Sequence, residues 1–264
     1  MSIRQTIKPA FVGILTTFLI ACGSNLSIDT LYPYAFRGTE AEIDTVMIAP
    51  INYGNPSRYY VRDKDPAVDR VTREYLEDRG VRVISNRPFE SIWKKMPARY
   101  GVLIDPATGT NTAAFKDAIN DTLGQLFSNN PRLDAVLFTD LIVKKTYYAE
   151  RNGRLAEWDG IRRKVKVQGV AEDISGGFNW RQPIDAISIE SHLVGRDLQV
   201  ILHSVGGIQV ADAFESVNGA GSFKRRNDLL INTAEIREGV GLSLHPLFMF
   251  EGYPSVSPTS ASGR

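Results

Sequence analysis

The run Thr45-Val46-Met47-Ile48-Ala49-Pro50-Ile51 constrains this chain more than any other feature. A strand with one wet face alternates apolar and polar residues. A nearly unbroken apolar run suits a strand covered on both faces, which is the habit of α/β sheets. The residues that follow fit that reading. Asp65-Pro66 supplies a capping carboxylate and a proline at a first helical position. Val68, Val71, Tyr75 and Leu76 then make one apolar face, and Gly80 is a helix stop.

Val81-Arg82-Val83-Ile84 is the next expected strand, and Pro88 opens a short helix carrying Phe89, Ile92 and Trp93. Phe115, Ile119, Leu123 and Leu126 recur at helical spacing up to about Asn129. Asp134 to Ala149 reads as a long strand, and Ile161–Val170 alternates basic and apolar residues. Ala186–Val194 and Leu198–Gln209 form an expected hairpin across Gly195-Arg196-Asp197. Leu229, Thr233, Ile236, Val240 and Leu244 mark a last helix, weakened by Gly239 and Gly241. The expected fold class is α/β: a mixed-sheet sandwich with helices packed on the sheet, in the order β-α-β-α-α-β-β-β-β-α.

Composition excludes several classes. The chain has 264 residues, 43% hydrophobic and 23% charged, which are the proportions of a globular protein. A net charge of +1 gives no global drive towards nucleic acid. The chain has a single cysteine, so internal disulfides and cysteine-rich zinc sites are excluded.

That cysteine sits in a telling place. Arg4 and Lys8 precede an apolar stretch from Pro9 to Ala21, too short for a membrane span of about 20 residues but suited to a signal-peptide core. Leu19-Ile20-Ala21-Cys22-Gly23-Ser24 follows. This resembles the lipobox of bacterial lipoproteins, which implies diacylglycerol on the Cys22 thiol and cleavage before it. Gly23 in place of Asp resembles an outer-membrane address. The expected organisation is therefore a signal peptide (1–21), a tether (22–42), one α/β domain (43–248) and a disordered tail (249–264). Cleavage removes two basic and no acidic residues, leaving 29 basic against 30 acidic, a net charge of −1.

Catalytic signatures are scarce. The sequence has no G-x-S-x-G, Walker motif or G-x-G-x-x-G, and the only thiol is assigned to lipid. Gly206-Gly207 reads as a bulge or a tight strand end. His192 and His203 fall on the two arms of the expected hairpin and can face each other, with Glu190 on the same face as His192. Two histidines alone make a poor metal site. The pair is read as strand residues with polar tips, with no metal, cofactor or catalytic residue assigned. His245 before Pro246 is read as ending the last helix.

One local charge feature stands out. Residues 144–166 hold eight basic and three acidic residues, a local charge of +5, with Tyr147, Tyr148 and Trp158 interleaved. Arg162, Arg163, Lys164 and Lys166 are the candidate partner-binding patch. In a periplasmic setting the expected partner is an anionic lipid surface, lipopolysaccharide or an acidic protein, not nucleic acid. The competing reading is a solvated strand edge kept soluble by its charges.

The segments DTVMIAPI, YLEDRGVRVI, PFESIWKKM and LDAVLFTDLI, with the late hairpin and C-terminal helix, resemble in outline periplasmic lipoproteins on an anticodon-binding-like α/β fold. These include the curli-secretion lipoprotein group and the lipoprotein activators of peptidoglycan synthases. The resemblance implies a non-enzymatic envelope protein acting through protein–protein contacts or self-oligomerisation. Pore formation is not expected, because Lys144–Val170 is too charged for lipid-facing strands, and Glu190, His192, Arg196 and Asp197 speak against Ala186–Gln209. The alternatives are a periplasmic hydrolase using dispersed acids or His192/His203, and a binder of small ligands or glycans with an aromatic pocket around Trp158 and Trp180. Trp93 is expected in the core.

Overall fold

The structure is a computed structural model, described over residues 43–49, 61–107, 110–149, 155–168, 178–217 and 220–250. The expected signal peptide, the tether with Cys22, and the tail from 251 onward lie outside the described residues.

The doubly covered strand is present. Strand β1 (Thr45–Ala49) is buried along its whole length. Its side chains divide by parity, as the pleat demands. Val46 and Ile48 enter one apolar cluster with helices α1 (Asp65–Glu77) and α5 (Thr233–Ser243). Met47 and Ala49 enter another with α2 (Arg87–Trp93), α3 (Met96–Tyr100) and α4 (Ala113–Asn129). Helices therefore cover both faces, and the sheet is the middle of three layers.

That central sheet has five strands in the order β2-β1-β3-β8-β9, where β2 is Arg82–Ile84, β3 Ala135–Thr146, β8 Ile184–Gly195 and β9 Val200–Val210. β1 runs parallel to β2 and β3. β3–β8 and β8–β9 are antiparallel, so the sheet is mixed. Among the described residues no helix is long and apolar enough to cross a membrane.

Five short strands and β7 extend this frame. β4 (Tyr148–Ala149), β5 (Leu155–Trp158) and β6 (Ile161–Lys164) form one small sheet. β7 (Val167–Gln168), β10 (Asp212–Val217) and β11 (Ala220–Arg225) form another. A third apolar cluster joins them, holding Tyr148, Trp180, Ile184, Val210 and Phe214.

Several expectations need correction. Three helices, not two, follow β2, because Met96-Pro97 starts the additional turn of α3. The stretch 134–149 breaks after Thr146, and 161–170 divides into β6 and β7, which belong to different sheets. The β10–β11 hairpin follows β9 where no strand was expected. Asp65 does not cap α1. It lies inside the first turn, where its carboxylate faces the positive end of the helix dipole, and Lys64 takes the cap position without a side-chain bond.

Gly239 is also not a weakness of α5. A Cβ on Gly206 would lie 2.0 Å from the Gly239 carbonyl oxygen, and one on Gly239 would meet Ile208 at 2.6 Å. Helix and strand backbones touch there because neither residue has a side chain. Gly206-Gly207 sits inside β9, next to a register shift opposite Ile187/Ser188, as a bulge reading requires.

Candidate functional site

The β8–β9 hairpin turns at Arg196–Gln199, where the Gly195 amide donates to the Gln199 carbonyl (3.0 Å) and Leu198 takes a left-handed conformation. The turn starts the pairing at Val194 and Val200, and a one-residue irregularity between Leu193 and Val194 then shifts the register so that Leu193 faces Leu202 and His192 faces His203. Their rings stack with centroids 4.0 Å apart and planes 17° from parallel. Period-two geometry puts Glu190 on the same face as His192.

The carboxylate meets both rings. Glu190 Oε1 lies 2.8 Å from His203 Nε2 and 3.6 Å from His192 Nε2. These contacts hold the Glu190 carboxyl well below the usual carboxylate range: the His192 and His203 hydrogen bonds outweigh the opposing effect of burial. One donor atom from each residue lies within 4.8 Å of the others. The side chains of Glu190, His192 and His203 are 25%, 21% and 28% exposed, so the cluster is framed by protein yet open to solvent.

The surroundings are asymmetric. Phe138 pairs with His192 and the buried Asp140 with Glu190 in the β3–β8 register. On the same sheet face, the β5–β6 hairpin folds over Ser188 and Gly207. Ser188 Oγ donates to Asp159 Oδ2 (2.6 Å), the Gly207 amide donates to the Asp159 carbonyl (2.9 Å), and Trp158 Nε1 donates to the Ile187 carbonyl (3.4 Å). A Cβ on Gly207 would strike Ile161 at 2.6 Å, so this glycine lets the hairpin dock.

The basic stretch is placed differently from a free patch. Arg162 pairs with Glu157 at 2.9 Å. Arg163 pairs with Glu238 at 2.6 Å and donates to the Ile208 carbonyl at 3.1 Å. Lys166 pairs with Asp228 at 2.8 Å. Lys144 and Lys145 meet Asp159 and Asp185. Lys164 is exposed on β6. Acidic partners, Glu157 and Asp159 within the stretch and Asp185, Asp228 and Glu238 far from it, thus meet much of the positive charge among the described residues, which do not include Arg151 and Arg154, and Arg163 pins the β5–β6 hairpin to β9 and α5.

Of the interleaved aromatics, Tyr147 is exposed, whereas Tyr148 and Trp158 pack in or against the third apolar cluster. Tyr148 is buried. Trp180 is 7% exposed, with its ring centroid 4.9 Å from that of Phe178 and 5.0 Å from that of Phe214. The expected aromatic pocket around Trp158 and Trp180 is corrected accordingly: Trp180 is a core residue and Trp158 packs against that core. Trp93, expected in the core, is half-buried and packs against the core cluster beside Phe89 and Phe115. His245 follows α5, which ends at Ser243, and burial lowers its pKa.

The sequence pointed to the histidine pair and to Glu190 as its neighbour. It missed Asp159, although Asp159-Gly160 between Trp158 and Ile161 is a two-residue hairpin signal. No protein-family model matches this chain, and no curated protein matches it either.

Proposed function

We propose that this protein is a lipid-anchored adaptor of the bacterial outer membrane, facing the periplasm and supporting envelope assembly or secretion through protein–protein contacts. The observation that carries the reading is the position of the one cysteine, Cys22, directly after Leu19-Ile20-Ala21 and a short apolar core. Two or three acyl chains at about 0.8 kcal/mol per buried methylene make a lasting anchor.

The partner is an envelope protein or a second copy of the chain. Of the patch of Arg162, Arg163, Lys164 and Lys166, only Arg163 is largely buried, so the exposed Arg162, Lys164 and Lys166 are what it offers a partner, Arg162 and Lys166 already holding an acidic residue of the chain.

The test is Cys22→Ser in a Gram-negative host. The variant is expected to leave the membrane fraction and to incorporate no labelled palmitate. Retention with label would overturn the anchor. Crosslinking on membranes with Cys22 intact is expected to recover a protein partner or a self-oligomer, and recovery of neither would overturn the adaptor. A second reading, a periplasmic hydrolase, is favoured by one observation, the Glu190–His192–His203 cluster.

A further inference from the structure

We propose that Glu190, His192 and His203 form a binding site for a divalent transition metal, with zinc as the ion it takes. The inference stands apart from the membrane anchor and the adaptor reading, since it rests only on the face of the β8–β9 hairpin.

The donor set is the first argument. Two imidazoles and one carboxylate suit zinc and its neighbours, while calcium and magnesium prefer all-oxygen shells. The second argument is spacing. Donor atoms around a tetrahedral zinc with bonds of about 2.0–2.1 Å are about 3.3–3.4 Å apart. Here Glu190 Oε1 lies 2.8 Å from one imidazole Nε2 and 3.6 Å from the other, on either side of that value. All three donors lie within 4.8 Å of one another, and rotation of the rings out of their stack, now 4.0 Å apart and 17° from parallel, is what turns both nitrogen lone pairs onto one ion. In doing so the metal replaces the proton shared between His203 and Glu190.

The third argument is rigidity. Glu190 and His192 are two residues apart on one strand and His203 is the direct cross-strand partner of His192, so the backbone holds all three donors on one face. Ligands on strands lose little freedom on binding, which favours affinity. The partial exposure of all three side chains leaves a fourth position open to water or to a donor from a partner.

The experiment uses the full-length chain purified in detergent, stripped with chelator, and titrated with Zn²⁺ by calorimetry at neutral pH. One equivalent is expected to bind, with a dissociation constant of about 1 µM or tighter. Losing an outer hydrogen-bond partner costs a metal site about 10–100-fold, so loss of a direct donor in His203→Ala or Glu190→Gln is expected to cost at least about 100-fold. His245→Ala, outside the cluster, is expected to bind zinc like the parent. Far-UV circular dichroism and melting without zinc verify that each variant folds.

Absence of saturable one-equivalent binding in the parent would overturn the proposal, as would unchanged affinity in folded His203→Ala and Glu190→Gln. If those variants fail to fold, Co²⁺ bound to the parent decides. Intense visible d–d bands without thiolate charge transfer support an imidazole–carboxylate site. A weak spectrum like that of the aqueous ion, or a thiolate band from Cys22, overturns it.

Discussion

At position 206 there is space for a hydrogen atom and little else. Gly206→Ala would place a methyl carbon against the Gly239 backbone, which cannot move like the end of a side chain. The expected cost is about 2–3 kcal/mol, read as a lower urea midpoint with an unchanged slope. Neither glycine announced this role in the sequence, because the close approach joins residues far apart in the chain. The histidine pair was legible because both residues lie on the arms of one local hairpin, although the irregularity between Leu193 and Val194 that sets them opposite each other was not. Asp228 is a different kind of case. Its carboxylate takes both forks of Arg226, at 2.8 and 3.0 Å, and the Arg226 side chain is only 5% exposed. Hydrogen bonds from Arg226 and then Lys166 hold the Asp228 carboxyl well below its ordinary range. A carboxyl depressed in the folded state stabilises the fold above its unfolded pKa of about 4, and that contribution fades as pH falls below it. Asp228→Asn is therefore expected to be less stable than the parent at pH 7, by about 1–2 kcal/mol after discounting for the partly exposed carboxylate. The gap should close towards pH 2, and urea unfolding at both pH values measures it.

Among the elements, the β5–β6 hairpin shows how a charged segment becomes structural. Asp159 and Gly160 both take positive φ, 38° and 85°, as a tight two-residue turn requires. The turn lets one aspartate reach Ser188 and Lys144 with its side chain and Gly207 with its carbonyl. Asp159→Ala should lose the first two bonds and strain the turn. The expected loss is about 1–3 kcal/mol, with a change in Trp158 fluorescence as the hairpin loosens over Ile187. In the sequence this region read as one alternating basic strand, because period-two alternation cannot tell which sheet a strand joins. The acidic partners that divide it, Glu238 on α5 and Asp228 before that helix, lie more than sixty residues downstream. Helix α1 was legible almost to the residue because its apolar face, proline and glycine stop are all local. Helix α3 was missed because five residues hold too little periodicity to be read.

For the molecule as a whole, the apolar run of β1 implied helices on both faces, and they are there. What the sequence could not carry was the division of the late β-rich half into three sheets, which depends on pairings such as β7 with β10 across the whole central hairpin. A further prediction belongs to this scale. Asp185, whose contacts with Lys145 and Arg225 overcome its burial, is depressed like Asp228. Both contributions fade in the same direction, so the thermal midpoint of the protein is expected to fall steadily from pH 5 to pH 3. Differential scanning calorimetry across that window tests it. The β8–β9 hairpin has one last consequence, in time rather than in space. Its turn closes over only a few residues, whereas β1 finds β3 across most of the first half of the chain. Short loops close with less entropic penalty and sooner. The stacked histidines and their glutamate should therefore be assembled in a folding chain before the parallel strands have met, and pulse-labelled amides of β8 and β9 should be protected before those of β1.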